Sequence, residues 1–120
     1  MKHLSLLVLL ALSGPLAMST TLKGAVYSPK AGVVCDKKAQ FCADDQGISL
    51  AHTKEYLGAK AEATMLGRIK EAGGPTNYDM TWFGFSNGVD CKVQDKVCRV
   101  SKHSDKVDAA HTKALFGRSS

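Results

Sequence analysis

The four cysteines are the residues of this 120-residue chain whose type and spacing most clearly suggest chemistry. They form two equal C-x6-C pairs, Cys35 with Cys42 and Cys91 with Cys98. Zinc ribbons use spacings nearer C-x2-C, and the redox-active C-x-x-C motif is absent, so the spacing favours neither a metal site nor a redox centre. An even number of cysteines in a small exported chain predicts two structural disulfides.

The sequence around each cysteine pair is typical of a β-hairpin. Folding each pair about its midpoint places Cys35 opposite Cys42 and Cys91 opposite Cys98. Opposed residues in antiparallel strands have Cα atoms roughly 4.5–5.5 Å apart, a range that a disulfide accepts. A Cys35–Cys98 crosslink would close a longer loop and stabilise the fold by about 2 kcal/mol more, but hairpin geometry is the stronger constraint. Of the three connectivities open to four cysteines, we predict the local one.

Residues 1–19 show the order of regions that is typical of a secretory signal peptide. A basic start precedes an apolar run over 4–12, and a Ser-Gly-Pro sequence breaks that run. Small residues then favour cleavage after Ser19, with a cut after Ala17 as the alternative. The run is far shorter than the ~20 residues that cross a bilayer. We therefore predict an exported, periplasmic protein without a transmembrane anchor, whose residues 20–120 form a single mature domain.

Charge and size argue against several classes of function. The formal net charge is +5, from 16 basic and 11 acidic residues, and the two signs are interleaved along the chain. Export and the lack of a compact basic motif argue against nucleic-acid binding, and the chain is too short for an enzyme with a bound dinucleotide. The adjacent Lys37 and Lys38, at the tip of the first predicted hairpin, could attract an anionic lipid or glycan.

The chain contains an internal repeat, which predicts two related halves at about 25–72 and 78–117. A Gly-Val pair precedes the first and the third cysteine, and an Ala-His-Thr-Lys sequence follows each hairpin. The matching segments are Gly32-Val33 and Gly88-Val89, and residues 51–54 and 110–113. Each half should therefore contain a strand, a cysteine hairpin and a helix.

The helical spacing of apolar residues from Leu50 to Ile69 predicts one long helix. Ser49 is its expected N-cap, with Thr53 as a later alternative, and Gly58 marks a point where the helix could kink or break. The second half has a shorter counterpart that ends at a capping glycine. We predict an α+β fold: one small antiparallel-sheet domain with one long helix, one short helix and two disulfides.

The remaining polar residues favour structural roles. His52 and His111 occupy equivalent places at the two predicted helix starts, and no matched set of metal ligands accompanies them. Ser86 lacks the G-x-S-x-G or S-x-x-K context of a catalytic serine. The pair Asp44-Asp45 lacks the rest of a calcium loop and is expected to act on the first turn of the long helix. We expect no catalytic, cofactor-binding or metal-binding residues.

Aromatic residues cluster in the strand predicted before the second hairpin. Alternation along a strand puts Phe83 and Phe85 on one face and Trp82 on the other. The two phenylalanines are expected in the core, whereas Trp82 either packs beneath a helix or is exposed for contact with a partner. Trp82, with Lys37 and Lys38, is the candidate contact surface.

Several short segments share their order and spacing with a known family. They are Gly32-Val33-Val34-Cys35-Asp36, Phe41-Cys42-Ala43-Asp44, Gly47-Ile48-Ser49, Tyr56-Leu57-Gly58, Phe85-Ser86-Asn87-Gly88-Val89 and Leu115-Phe116-Gly117. Together they resemble the YcgJ-like family of small exported bacterial proteins, which are related to a Fels prophage protein. The resemblance covers roughly 26–117. It implies a Gram-negative periplasmic protein with paired cysteines, and it brings no catalytic residues.

These observations favour a non-enzymatic binding or accessory protein of the periplasm, with another envelope protein as its partner. An inhibitor-like or immunity-like role would fit the size, the export and the rigidity, by analogy alone. The alternative is an envelope-associated protein that binds an anionic lipid or glycan through its hairpin lysines. A small hydrolase is disfavoured because no nucleophile and base can be paired.

Overall fold

A computed structural model describes Leu22 and residues 24–117, and the predicted signal peptide, 1–19, lies outside the described residues. The first half forms a four-stranded antiparallel sheet in which each strand pairs with the next along the chain. Its strands are β1 (Val26–Lys30), β2 (Val33–Asp36), β3 (Phe41–Asp44) and β4 (Gly47–Ser49). Strands β2 and β3 are the two arms of the first predicted cysteine hairpin.

The second half forms a three-stranded antiparallel sheet. Its strands are β5 (Trp82–Gly84), β6 (Asp90–Lys92) and β7 (Val97–Arg99). The Phe85 N–H donates to the Val89 carbonyl at 2.8 Å, which closes the predicted Ser-Asn-Gly turn between β5 and β6. The α+β class and the antiparallel hairpins are confirmed, and the strands are divided between two sheets.

Three α-helices and one short 3₁₀-helix (Pro75–Asn77) complete the described fold. The α-helices are α1 (Leu50–Leu57), α2 (Ala59–Glu71) and α3 (Ala109–Phe116). The Ser49 hydroxyl accepts the His52 N–H at 3.0 Å, so Ser49, and not Thr53, is the N-cap of α1. Gly58 separates α1 from α2 with a φ of +101°, a conformation that favours glycine. The predicted long helix is therefore two helices, and the break falls at the glycine where the sequence allowed one.

The two disulfides join the predicted partners, Cys35 with Cys42 and Cys91 with Cys98. In each hairpin the bonded cysteines are directly opposed in the strand register, and their Cα atoms are 4.0 Å apart. The local connectivity is confirmed, because each hairpin itself brings its two cysteines together.

A buried threonine from the following helix completes each hairpin. The Thr53 hydroxyl accepts the Cys42 N–H and the Thr112 hydroxyl accepts the Cys98 N–H, both at 2.9 Å. Both threonines are fully buried. The repeated His-Thr sequence therefore reflects a repeated contact, in which the helix fixes the backbone of the second cysteine in its hairpin.

The two halves share one hydrophobic core. The Phe41 ring of the first sheet stacks on Phe85 with centroids 5.5 Å apart, and it meets Phe83 edge-on at 6.1 Å. Met65 from α2 and Leu115 from α3 are buried in the same cluster. This shared core fixes the second sheet against the first and so positions the residues that point outward from β5.

Candidate contact surface

Trp82 stands on the outward face of β5. Its neighbour Phe83 is 5% exposed in the core and Trp82 is 42% exposed, so the two lie on opposite faces as the strand alternation predicts. Of the two alternatives for Trp82, exposure is confirmed and packing beneath a helix is wrong. The indole Nε1 donates to Asp90 Oδ2 at 2.6 Å, and Asp90 belongs to the paired strand β6. This hydrogen bond holds a large aromatic surface in a defined orientation toward solvent.

Two lysine ammonium groups lie against the Trp82 ring. Lys92 pairs directly with Trp82 across β5 and β6 and places its Nζ 4.1 Å from the ring centroid. Lys102 places its Nζ 5.6 Å from the same centroid. Both distances are within the range of cation–π attraction, so positive charge lies against the exposed indole.

Trp82 lines two depressions, and together with them it forms what we call the Trp82 surface. The polar pocket, of about 260 Å³, is lined mainly by charged side chains: Asp90, Lys92, Asp95, Arg99, Lys102 and Asp105. The apolar groove, of about 480 Å³, is lined mainly by apolar and aromatic residues: Ala39, Phe41, Ile48, Tyr78, Phe83 and Gly84, with Arg68 and Asp79. A ligand of mixed character, partly charged and partly apolar, would fit this arrangement.

The predicted lysine pair lies beside this surface but does not line it. Lys37 and Lys38 are both exposed in the turn between β2 and β3. The Lys37 Nζ is 5.1 Å from the centroid of the Tyr27 ring. Ala39 of the same turn lines the apolar groove, whereas neither lysine lines the groove or the polar pocket. The structure therefore does not bring the lysine pair and Trp82 into one depression.

The described strands and helices lie within the region that a known family model matches. A family model with the description "YcgJ protein" matches residues 26–116, which include both hairpins, the three described α-helices and Trp82. The chain belongs to the YcgJ family. The uncharacterized protein YcgJ of Escherichia coli strain K12 is 39% identical to it over 100 residues, which cover 78% of this chain and 75% of that protein. No solved structure matches the chain.

In this YcgJ-family protein, a buried carboxylate that the sequence did not single out joins the two halves. Asp36, at the end of β2, is fully buried. It accepts the N–H groups of Lys38 and Ala39 at 3.0 and 2.9 Å. It also accepts the N–H and the hydroxyl of Ser86 at 2.6 and 2.9 Å. The internal repeat gives no signal for it, because Lys92 occupies the equivalent position in the second half.

The two repeated histidines of the YcgJ-family chain lie at helix starts, as predicted, but in different surroundings. His111 Nδ1 lies 2.9 Å from Asp108 Oδ1, and His111 Nε2 lies 3.1 Å from Asn87 Nδ2. The Asn87 side-chain oxygen accepts the Val89 N–H, which orients the amide so that Nδ2 donates to the imidazole. This network holds the His111 ring between the N-cap carboxylate of α3 and the turn that joins β5 to β6.

Two carboxyl groups have lowered pKa values. Burial raises the pKa of Asp108, the N-cap of α3, but hydrogen bonds from the backbone N–H and the ring of His111 lower it by more. The pKa of the exposed Asp79 is lowered chiefly by the hydrogen bond from the Thr81 hydroxyl. Both shifts arise from local hydrogen bonds of the kind that fix turns and helix starts.

The acidic pair Asp44-Asp45 lies outside the helix, and Asp44 reaches its first turn through a side chain. Asp44 ends β3 and Asp45 follows in the turn to β4, so neither residue belongs to α1. The short strand β4, which the sequence pattern does not reveal, separates the pair from α1. His52, in the first turn of α1, lies between Asp44 and Glu55, with Nε2–Oδ2 and Nδ1–Oε1 distances of 3.5 and 3.2 Å.

The described residues offer no metal centre and no membrane span. Among residues 24–117, no group of three or more histidine, cysteine or acidic side chains is arranged to hold a metal ion. The longest helix in that range, α2, has 13 residues. None of the helices described there combines the length and the apolar character that a bilayer crossing demands.

Proposed function

We propose that this protein is an exported, periplasmic binding or accessory protein that acts through the Trp82 surface and is not an enzyme. The observation that carries the proposal is the half-exposed indole, held by Asp90 and bordered by the polar pocket and the apolar groove. Tryptophan is enriched among the residues that dominate protein interfaces. The disulfide between β6 and β7 braces the sheet below it, which reduces the conformational entropy that binding would cost.

Export to the periplasm is supported by the sequence and by the cysteines. The basic start, apolar run and small residues of 1–19 are typical of a cleaved signal peptide. Structural disulfides persist in oxidising compartments such as the periplasm. A rigid exported domain of this size would suit an inhibitor-like or immunity-like role, by analogy with other small binding proteins.

A non-enzymatic role is supported by the way the candidate catalytic groups are engaged. The Ser86 hydroxyl donates to the buried carboxylate of Asp36, which also holds three backbone N–H groups. The His111 Nε2 faces the amide of Asn87. Ser86 and His111 therefore serve the turn and the helix start and do not form the hydrogen-bonded nucleophile and base that acyl transfer requires.

The test is retention of a periplasmic protein by the immobilised mature chain, by Trp82→Ala and by a control, Leu66→Ala. Leu66 is 48% exposed on α2 and lines neither depression. We expect one protein, identified by mass spectrometry and then rebound in pure form, to be retained by the wild type and by Leu66→Ala. Its retention by Trp82→Ala should fall at least ten-fold. Equal retention by all three chains, or no retained protein, would contradict the proposal.

The exposed lysines of the β2–β3 turn favour a second function, which is attraction to an anionic lipid or glycan. Vesicles with and without phosphatidylglycerol test it, with Lys37→Ala/Lys38→Ala compared with Lys54→Ala/Lys60→Ala, which removes the same charge from exposed helix positions. Salt-sensitive binding that only the first variant loses would support this function. Equal binding by both variants would argue against it.

A further inference from the structure

We propose that Asn87 is a deamidation site that the folded protein keeps unreactive through the hydrogen bonds of the turn between β5 and β6. The inference is independent of the proposed function, because it concerns the chemistry of this turn and not the binding of a partner. Its basis is the Asn87-Gly88 sequence together with the contacts that hold the Asn87 amide and the Gly88 N–H.

The Asn87-Gly88 pair contains both groups that the reaction needs. The backbone nitrogen of Gly88 attacks Cγ of Asn87, which forms a five-membered succinimide and expels Nδ2 as ammonia. The proton that the Gly88 N–H loses is balanced by the one that Nδ2 gains as it leaves. Water then opens the succinimide to aspartate or isoaspartate, so water is the one co-reactant. Glycine has no Cβ to obstruct the attacking nitrogen, which makes an Asn-Gly pair highly reactive in an unfolded chain.

Burial does not shield this pair in the folded protein. Asn87 and Gly88 are both exposed, so water and hydroxide reach them. Protection of the pair therefore depends on how its reacting groups are hydrogen-bonded and oriented.

The attacking nitrogen is engaged within the turn. The Gly88 N–H donates to the Phe85 carbonyl at 2.9 Å, and the Phe85 N–H donates to the Val89 carbonyl at 2.8 Å. Attack on Asn87 requires the Gly88 nitrogen to lose its proton and to approach Cγ. The hydrogen bond to Phe85 must break first, so the closed turn opposes the reaction.

The amide under attack is held at both of its ends. Asn87 Oδ1 accepts the Val89 N–H at 3.0 Å, and Nδ2 lies 3.1 Å from His111 Nε2. The imidazole is itself fixed, because His111 Nδ1 lies 2.9 Å from Asp108 Oδ1 and the ring packs against Phe85 with centroids 5.8 Å apart. Rotation of Cγ toward the attacking nitrogen moves the amide out of both contacts. Helix α3 therefore stabilises the unreactive orientation of the turn.

Deamidation before folding would damage this turn. Isoaspartate adds a methylene group to the backbone between positions 87 and 88, inside the loop that the hydrogen bond between Phe85 and Val89 closes. Ser86 of the same turn donates its N–H and its hydroxyl to Asp36. A chain that contains isoaspartate here cannot rebuild the turn with its native spacing, whereas a chain that folds first keeps its asparagine.

The test compares the native mature protein with the same protein reduced, alkylated and unfolded in guanidinium chloride, both incubated at one mildly alkaline pH. Mass spectrometry of the tryptic peptide 71–92, which contains both asparagines of the chain, measures deamidation at each. We expect Asn87 to react more slowly in the native protein by roughly ten-fold or more, because the reaction requires the turn to open. Asn77 is exposed but precedes Tyr78, whose side chain obstructs the attack, so it should react slowly in both samples.

Two variants test the two parts of the inference. In the unfolded chain, Gly88→Ala places a Cβ beside the attacking nitrogen and should slow the reaction at Asn87 by roughly ten-fold. In the folded protein, His111→Ala frees Nδ2 and should speed the reaction several-fold. His52→Ala, at the equivalent position of the first half, should leave the native rate unchanged. The native rates are compared after correction for the unfolded fraction that urea denaturation gives.

Three results would overturn the inference. Equal rates at Asn87 in the native and unfolded wild-type protein would exclude protection by the fold, and an unreactive Asn87 in the unfolded chain would exclude the site. A corrected rate of folded His111→Ala that equals the wild-type rate would exclude the imidazole contact. The comparison of native with unfolded wild-type protein requires no variant, so it decides the inference even where His111→Ala does not fold. Because no partner is involved, this result and the retention result at Trp82 can fail separately.

Discussion

The Asp36 carboxylate accepts both the backbone N–H and the hydroxyl of Ser86, which is 50 residues further along the chain. The contact ties the turn after β2 to the turn after β5, next to the stacked rings of Phe41 and Phe85. Because Asp36 is fully buried, water does not compete for these hydrogen bonds. The orientation of the two sheets, and with it the apolar groove, therefore depends on a polar contact as well as on the core.

Asp36→Asn should lower the free energy of unfolding by about 2–3 kcal/mol. Both oxygens of the Asp36 carboxylate accept hydrogen bonds, whereas the asparagine amide would replace one of them with an NH₂ group that faces a donor. Ser86→Ala loses the hydroxyl bond alone and should cost about 1 kcal/mol. Urea denaturation of both variants measures the difference. Equal losses would contradict the central role of the Asp36 carboxylate.

Removal of either disulfide should destabilise the protein to a similar extent. The two bridges have the same sequence separation of 7 residues, and the chain-entropy model gives about 2.5 kcal/mol for such a loop. Urea denaturation of Cys35→Ala/Cys42→Ala and Cys91→Ala/Cys98→Ala tests this. A several-fold larger loss for one pair would show that something other than loop closure sets its contribution.

Gly47→Ala should be strongly destabilising. Gly47 has a φ of +122°, and a Cβ at this position would overlap the Met80 carbonyl oxygen that the Ile48 N–H contacts. Strain and overlap together should cost about 2 kcal/mol or more. The matched control is Gly67→Ala on α2, where open space surrounds the new methyl group. It should stabilise by up to about 1 kcal/mol, and thermal unfolding compares the two variants; a similar Tm for both would contradict this account.

Stability should fall below about pH 4 in part through Asp108. Burial raises the pKa of this carboxyl, but hydrogen bonds from His111 lower it by more, so its folded-state pKa lies below the unfolded value of 3.8. Such a group contributes stability above the unfolded pKa and loses that contribution as the pH falls through the folded pKa. Asp108→Asn keeps an N-cap residue and should flatten the acid limb of the stability curve.

The control for this pH dependence is Asp105→Asn, which changes an exposed carboxylate near the same helix. Urea denaturation at a series of acidic pH values gives the curves of all three proteins. An Asp108→Asn curve that runs parallel to the wild-type curve would contradict the assigned role of Asp108.

The features that could be predicted from the sequence are those with a local or repeated signal. The disulfides follow from hairpins whose turns and cysteines are adjacent in the chain. Ser49 and Gly58 were identifiable because capping and helix breaking depend on a few neighbouring residues. Trp82 and Phe83 were assigned to opposite faces by the alternation of a single strand.

The features that were missed depend on contacts between distant segments. The Asp36–Ser86 contact joins the two halves and breaks their symmetry, so neither periodicity nor the repeat could indicate it. Strand β4 is a segment of three residues that becomes a strand by pairing with β3.

The most direct test of the central claim uses Trp82 as its own reporter. It is the single tryptophan of the chain, so fluorotryptophan labelling of the mature protein yields one fluorine NMR resonance from the Trp82 surface. We predict that a native periplasmic extract shifts or broadens this resonance and that the same extract after protease digestion does not. An identical resonance in buffer, in native extract and in digested extract would contradict a protein partner at Trp82.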